Sequence, residues 1–375
     1  MRVLTRRKAN VCGHQPLSTP LWPQAPLRTG DPTGVARRAM APDRLGMEAQ
    51  ALPPDLLTRP FRTFEALRRG VTPSRLRADD LWTPTPGVRT VEIPMTLLER
   101  TYAFAAAAPQ EFAFAHATAA RLLGIPLPYA LDEDPHIHIV TRTDANRIRR
   151  GEVMGHRGLE SRGVVEVHGL PVVGPADTWA DLGEYVGAGL PVGLDDLIVA
   201  GDAAANLLGE VAPLKRAVEA RVRPRGKVTL TFALPRVRLG AWSPMETRSR
   251  LMVTRAGLPE PRHNRPVVSH TGEWLGFGDL VWEEQRVVGE YMGVEFHTRS
   301  RDKVHDGLRR DRVERGDWAV VEIVSADVFE HEARAAKLRE IAGCLGVNAH
   351  VLDVIAAAPQ FFAPAQFARP RRRRS

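Results

Sequence analysis

The spacing of three carboxylates constrains this chain more than any other feature. Glu246 lies three residues after Ser243 in a Ser-Pro-Met-Glu run, which predicts the first turn of a helix. Asp279 lies among apolar residues of a predicted strand, and Glu290 follows on the next predicted strand. A buried strand over 318–324 closes the pattern. The predicted order is helix, hairpin, strand, helix and strand, an α/β arrangement in which carboxylates can converge from rigid elements.

Two of these carboxylates have the chemistry of metal ligands. Adjacent strands can bring Asp279 and Glu290 to one Mg²⁺, or to Mn²⁺ in its place, because these ions prefer oxygen donors. Asp279 would be costly to bury among apolar neighbours unless a partner or a metal compensated its charge. Two interpretations of Glu246 stay open. It completes a capping box with Ser243, or it helps to hold the metal or activate water.

Five motifs together carry a family resemblance. They are Ser-Pro-Met-Glu-Thr-Arg from Ser243, Gly-Leu-Pro-Glu-Pro from Gly257, Gly-x-x-Leu-Gly-x-x-Asp-Leu-x-Trp ending at Trp282, Glu-Tyr-x-Gly from Glu290 and Trp-x-Val-Val from Trp318. This combination resembles actinobacterial proteins whose C-terminal domain is related to very-short-patch-repair endonucleases, a branch of the PD-(D/E)XK nuclease fold. Residues from about Leu56 to Leu208 are similar to the N-terminal part of the same proteins, which resembles AbiEi-type abortive-infection antitoxins.

The resemblance implies a catalytic set of Glu246, Asp279, Glu290 and His297. It also exposes three departures from the family pattern, of which the mildest is Gly278 in place of the proline expected before Asp279. Met292 occupies the position where the nuclease motif has a lysine, so that role is unfilled. His297, the expected general base, follows Gly293 with one residue more than the usual spacing.

Basic residues near this pattern are candidates for contact with DNA phosphates. The helix predicted after His297 carries seven basic and four acidic side chains, a modest excess that favours a DNA backbone. An exposed helix laced with i,i+4 ion pairs explains the same pattern. On the Ser243 helix, ion pairing is the default expectation. The DNA-contact candidates are Arg248, Arg299, Arg301, Lys303, Arg309 and Arg310.

Composition and periodicity divide the chain into six segments. Residues 1–54 form a basic leader predicted to be disordered, and Met40 or Met47 is an alternative start. The other segments are a small helix-turn-helix or winged-helix-like module over 55–94, an antitoxin-like mixed α/β domain over 95–210, a linker over 211–242, the restriction-endonuclease-like α/β core over 243–345, and a C-terminal extension with an Arg-rich tail over 346–375.

The middle segment offers polar residues that suggest a second site at first sight. Asp195, Asp196 and Asp202 fall within a predicted helix over 194–208, where packing and capping are the favoured explanation. His136 and His138 alternate along a predicted strand as outward-facing residues. Together with His156 and His168, these histidines are too scattered in sequence to make a convincing metal set. Helices are predicted over 175–182 and 194–208, and a hairpin turns at His168-Gly169.

Charge and cysteine content limit the class of protein. The formal net charge is +8, but the first 50 residues and five arginines near the C-terminus supply the whole excess. A nucleic-acid surface must therefore be local. The two cysteines lie far apart, which argues against a thiolate zinc site and fits a reducing cytoplasm. Neither a secretion signal nor a membrane span is predicted.

Three functional hypotheses follow from these patterns. The first is a DNA-interacting protein with a Mg²⁺-dependent endonuclease-like domain. The second is a non-catalytic, antitoxin-like DNA-binding regulator that kept the nuclease fold and lost the chemistry. The third is a protein-interaction module without a nucleic-acid role. The sequence identifies no cognate toxin, no phage-defence partner, no preferred DNA structure and no oligomeric state.

Overall fold

The computed structural model describes residues 50–146, 148, 150–187, 189–221, 225–293, 313 and 316–361. Helices and strands mix throughout these residues, in sheets with both parallel and antiparallel pairs, so the predicted α/β class is confirmed. The chain divides into two compact units. Of the described residues, 50–122 and 135–173 belong to the first unit, and 123–134 and 174–361 belong to the second.

Among the described residues, the first unit contains three α-helices and seven strands. The helices are α1 (Thr63–Arg68), α2 (Leu97–Ala105) and α3 (His116–Leu123), the last of which ends at the unit boundary. The strands are β1 (Phe61–Arg62), β2 (Val88–Arg89), β3 (Phe112–Phe114), β4 (Ile137–Thr141), β5 (Val153–Arg157), β6 (Val164–Val167) and β7 (Leu170–Val173). Thr96 and Glu99 form a complete capping box at the start of α2, which explains where this helix begins.

The small N-terminal module differs from the predicted helix-turn-helix. Thr72 accepts the N–H of Arg75 as a cap would, but only a single 3₁₀ turn follows, over Arg75–Arg77. Arg75 is buried and pairs with Asp80 at 2.7 Å, so it does not present its charge to DNA. The second helix of the predicted motif is therefore wrong. The predicted wing is reduced to the two-residue pairing of β1 with β2.

Five strands of the first unit form one mixed sheet in the order β5-β4-β3-β7-β6. The predicted strand around His138 and the hairpin at His168-Gly169 are both present, as β4 and as the β6–β7 turn. His138 itself is buried, since all five residues of β4 are buried. The prediction that it faces outward is wrong. Strand alternation assumes one solvated face, and β4 lacks one.

The second unit contains eight helices and four strands among the described residues. The helices are α4 (Tyr129–Asp132), α5 (Pro175–Leu182), α6 (Leu194–Leu208), α7 (Ala212–Ala220), α8 (Lys227–Ala233), α9 (Pro244–Arg255), α10 (Ser325–Phe329) and α11 (His331–Leu345). The strands are β8 (Arg262–Val268), β9 (Trp274–Trp282), β10 (Val287–Tyr291) and β11 (Ala319–Ile323). Both α5 and α6 have the predicted bounds, and α6 ends at Gly209, whose φ of +72° suits glycine.

The predicted domain boundaries differ from the observed division. Residues 211–242 are not a solvated linker, because α7 and α8 bury apolar residues such as Leu214 and Leu230. Residues 174–210 share a compact unit with 243–345 instead of with 95–122 and 135–173. Apolar faces on short basic helices are easy to miss, since the arginines of this segment dominate its composition.

A four-stranded sheet in the order β11-β10-β9-β8 carries the predicted site. The pairs β8–β9 and β9–β10 are antiparallel, and β10 pairs with β11 in parallel. One buried cluster joins α9 and α11 to residues of the sheet such as Leu280 and Ile323. A second buried cluster includes Val281 and Val288.

No helix among the described residues is, by itself, long and apolar enough to cross a membrane. The pair α6 and α7 passes such a test of length and composition only when both helices are taken together, and a bend of 114° separates them.

Candidate metal centre

The predicted ligands lie where β9 and β10 separate. The antiparallel ladder between these strands ends with the pair Leu280 and Gly289. Asp279 and Glu290 are the next residues beyond that pair. There the Asp279 Oδ2 atom accepts a hydrogen bond of 2.9 Å from the backbone N–H of Tyr291. The Asp279 carboxylate thus accepts the hydrogen bond that a backbone carbonyl would accept in a continuous ladder. This bond holds the carboxylate beside Tyr291.

Glu246 reaches the same place from the first turn of α9. The Ser243 hydroxyl caps this helix by accepting the Glu246 N–H at 3.1 Å. The carboxylate does not accept the backbone N–H of Ser243, so the capping box is incomplete. Instead its Oε2 atom accepts hydrogen bonds from the backbone N–H of Trp242 at 2.8 Å and from Asn264 Nδ2 at 2.6 Å. Helix capping therefore explains the position of Glu246, while its carboxylate belongs to the site.

The electrostatics of Glu246 differ from those of an ordinary surface carboxylate. Burial and then the negative charge of Asp279 raise the pKa of Glu246 to about 7, against the lowering effect of its hydrogen bonds. Glu246 is only 6% exposed. A buried carboxyl that is divided between its two protonation states near neutral pH is typical of sites that bind cations or transfer protons.

Asn264 also belongs to the site, although no sequence pattern predicts it. It lies on β8 with a φ of +47°, in the left-handed region that asparagine tolerates better than most residues. Its Nδ2 atom donates to Glu246 and also to the carbonyl oxygen of Gly240, each at 2.6 Å. A single polar residue within a short strand gives no sequence signal for such a role.

Glu322 on β11 is a second missed residue. It is the register partner of Glu290 across the parallel pair of β10 and β11, so the two side chains project from the same face of the sheet. Glu322 is exposed. Its place beside Glu290 depends on a parallel pairing between distant segments, which local patterns cannot reveal.

A buried polar network supports the strand that carries Asp279. Arg250 on α9 donates from Nη2 to Asp202 Oδ2 on α6 and from Nε to His263 Nε2 on β8, both at 2.9 Å. Since His263 Nε2 accepts this bond, its Nδ1 carries the proton and faces the carbonyl oxygen of Asp279 at 3.3 Å. Burial and the Arg250 charge lower the pKa of His263 to about 3, so the imidazole is neutral.

Asp202 is the buried end of this network and is fully enclosed. Burial raises the pKa of Asp202, while the Arg250 charge, the Arg238 N–H and the Thr247 hydroxyl all oppose that rise. Asp195 and Asp196, on the same helix, pair with Arg255 and Arg248. These contacts agree with the packing and capping roles expected for the three aspartates.

Several predicted site residues are not brought to this place. Arg248 forms an ion pair with Asp196, and its guanidinium lies 5.8 Å from the ring centroid of Phe329, so its charge is already engaged. Met292 is half-buried and donates its backbone N–H to Ile323 at 2.8 Å. The remaining candidates lie outside the described residues: His297, Arg299, Arg301, Lys303, Arg309 and Arg310.

The donor set suits a hard divalent cation. Asp279, Glu290 and Glu246 offer only carboxylate oxygens, which Mg²⁺ and Mn²⁺ prefer. Among the residues that the structure describes, the oxygens of these three side chains do not all lie within 4.8 Å of one another. Mg²⁺ commonly takes one or two carboxylates directly and completes its shell with water. Asp279 and Glu290 would be the direct ligands.

Comparisons with known proteins add relatives but no activity. Two uncharacterised proteins of Mycobacterium tuberculosis, one from each of two strains, are 31% identical to this chain over 123 residues. The match covers 33% of this chain and 45% of each relative, so the chain spans less than half the length of these relatives. No family model matches the chain. No solved structure matches it either.

Proposed function

We propose that this site hydrolyses phosphodiester bonds of DNA with a bound Mg²⁺ or Mn²⁺ ion. One observation supports the proposal above all others. Glu246 on a helix interacts with the charge of Asp279 on β9, and Glu290 lies on the adjacent strand β10, one residue beyond the end of the β9–β10 ladder. Carboxylates from rigid neighbouring elements are what metal-assisted phosphodiester hydrolysis requires.

Each residue has a distinct role in this proposal. Asp279 and Glu290 would hold the cation, which when bound polarises the phosphate and lowers the pKa of a coordinated water. The Glu246 carboxylate, whose pKa of about 7 lets it accept a proton near neutral pH, would take the proton of the attacking water. The Tyr291 N–H fixes Asp279 and the Asn264 amide fixes Glu246, which keeps the carboxylates oriented before substrate arrives.

DNA is the proposed partner, and the cytoplasm is the proposed location. Phosphate contacts are assigned to the basic residues between Arg299 and Arg310 and not to Arg248, since Asp196 already neutralises Arg248. The antitoxin-like resemblance of the N-terminal part leaves a toxin or phage-defence partner as a further proposal. Binding through phosphates would weaken as salt rises.

The test is cleavage of plasmid and oligonucleotide DNA by the full chain. We expect cleavage with Mg²⁺ or Mn²⁺, none in EDTA, and loss of activity in Asp279→Asn and Glu290→Gln. Glu284→Gln is the matched control, because this exposed glutamate lies in the β9–β10 turn on the same sheet. Equal activity in Asp279→Asn and the control would contradict the proposed ligand set.

Met292 favours a second candidate function, a DNA-binding regulator without catalysis. A thioether at the position of the motif lysine supplies no positive charge to the scissile phosphate. The two functions differ in one measurement. Salt-dependent DNA binding without cleavage under either metal would favour the regulator, and rate recovery in Met292→Lys would favour a weakened nuclease.

A further inference from the structure

Three aromatic side chains form an exposed row beside the carboxylates. Trp242, Trp274 and Phe277 are 46%, 56% and 44% exposed. The ring centroid of Phe277 lies 6.0 Å from that of Trp242 and 6.1 Å from that of Trp274. These three residues are called the aromatic row below. Isolated exposed hydrophobic residues are common on protein surfaces, whereas contiguous ones mark binding sites.

The aromatic row begins at the candidate metal centre. The backbone N–H of Trp242 donates to the Glu246 carboxylate. The residue that carries the first ring is therefore anchored at the candidate metal centre. Phe277 precedes Asp279 by two residues on β9, and Trp274 is the first residue of that strand. The row therefore leads from the carboxylates along β9 towards the β8–β9 turn.

We propose that the aromatic row stacks the bases of a single DNA strand whose backbone enters the carboxylate site. Aromatic side chains in sequence along a surface are the usual platform for unpaired bases, because every base has a π-face. A duplex keeps those faces inside its own stack, so the row selects single-stranded DNA. The choice of nucleic acid as the occupant rests on the proposed function, since the row is continuous with that site.

The first test compares the binding of single-stranded and duplex oligonucleotides in EDTA, where hydrolysis cannot interfere. Phe277→Ala and Trp274→Ala should each bind the single strand about five- to a hundredfold more weakly than the wild type. Trp82→Ala is the matched control, because Trp82 is 47% exposed in the other compact unit. Duplex affinity should be the same in all four proteins.

The second test removes bases and keeps phosphates. An abasic strand of equal length should bind the wild type at least as weakly as the ordinary strand binds Phe277→Ala, because it removes stacking on all three rings. Combining the abasic strand with Phe277→Ala should add little further loss, because both changes remove the same contact. The dependence of log Kd on log salt should be unchanged in Phe277→Ala, since stacking releases no counterions.

Phe277→Leu and Trp274→Leu guard against a loss of folding. They keep apolar bulk at the same positions and remove the π-face, so a folded leucine variant with reduced single-strand affinity still supports stacking. Melting curves of all variants report their folding.

The outcomes separate this inference from the proposed function. Cleavage that depends on Asp279, with equal binding of abasic and ordinary strands, would overturn stacking and leave the nuclease proposal intact. Binding that depends on stacking, without cleavage under any metal, would support base stacking on the aromatic row. It would contradict the proposed hydrolysis of DNA. Self-association that disappears in Phe277→Ala, with no effect on DNA binding, would overturn the inference in favour of an interface between copies of the chain.

Discussion

Glu246 and Arg250 lie one turn apart on α9, and both are buried, yet their surroundings are opposite. Arg250 faces Asp202, so two unlike charges meet at 2.9 Å, with further hydrogen bonds on both sides. Glu246 faces Asp279, so two like charges lie close together, and the pKa of Glu246 rises to about 7. The first arrangement is a structural contact. The second lowers stability in the absence of a cation and is suited to binding one.

The largest expected effect comes from removing the ion pair between Arg250 and Asp202. Arg250→Met should destabilise the protein by about 3–5 kcal/mol, because it leaves Asp202 buried without its counter-charge. Adding Asp202→Asn should recover part of that loss. Urea denaturation measures both values. Arg248→Met removes a half-buried ion pair on the same helix and should lower the free energy of unfolding clearly less. An equal loss in the two variants would contradict the distinction between the two positions.

The next effect has the opposite sign and concerns the site. Glu246→Gln should stabilise the protein by about 3 kcal/mol at pH 8 in EDTA, because its folded-state pKa lies above the unfolded value. Between pH 4.5 and 7 the folded wild type keeps a proton that the unfolded chain loses. Its stability therefore falls as pH rises through that window, and the advantage of the variant disappears below it. A destabilised variant at pH 8 would contradict the raised pKa.

A third prediction concerns the shape of the pH profile. The pKa of His263 is lowered to about 3, so the unfolded chain binds a proton below pH 6.5 that the folded protein does not. This group lowers stability as pH falls, whereas Glu246 raises it over pH 4.5–6.5. The two contributions cancel in the wild type. The stability of Glu246→Gln should therefore fall by up to about 1.4 kcal/mol per pH unit as pH falls through this window, while that of the wild type changes less. Urea denaturation at several pH values measures both profiles.

The smallest effect is the response to metal. Mg²⁺ at tenfold its Kd should stabilise the wild type by about 1.4 kcal/mol. The shift should be larger at pH 8 than at pH 5.5, because protons on Glu246 compete with the cation. Asp279→Asn should abolish the shift, and differential scanning calorimetry with Mg²⁺ and with EDTA measures it. An equal shift in Asp279→Asn would place the metal elsewhere.

The elements that the sequence predicts well are those with local signals. Helices α5, α6 and α9 begin at capping residues or prolines, and their apolar spacing is regular. Asp279 and Glu290 stand out because strand neighbours and motif spacing mark them. Asn264 and Glu322 do not stand out, since their places depend on pairings between β8, β9, β10 and β11 that no local pattern records.

Two failures share another physical cause. The second helix of the predicted N-terminal motif has a good cap at Thr72, but a cap permits a helix and does not supply the buried face that stabilises one. The predicted linker hides two packed helices, because composition counts arginines without showing which face they occupy. Domain boundaries depend on which helix faces pack against distant residues. Local sequence patterns therefore predict them poorly.

The contact between Arg250 and Asp202 also determines which fragments of this protein can fold by themselves. A fragment that starts at Ser243 would keep the whole carboxylate set but lose α6, and with it the only described carboxylate that meets Arg250 at 2.9 Å. The sheet of β8–β11 is therefore not expected to fold without α6. The smallest piece expected to be expressed as a folded body includes α6 as well as the sheet, even though α6 supplies none of the proposed metal ligands.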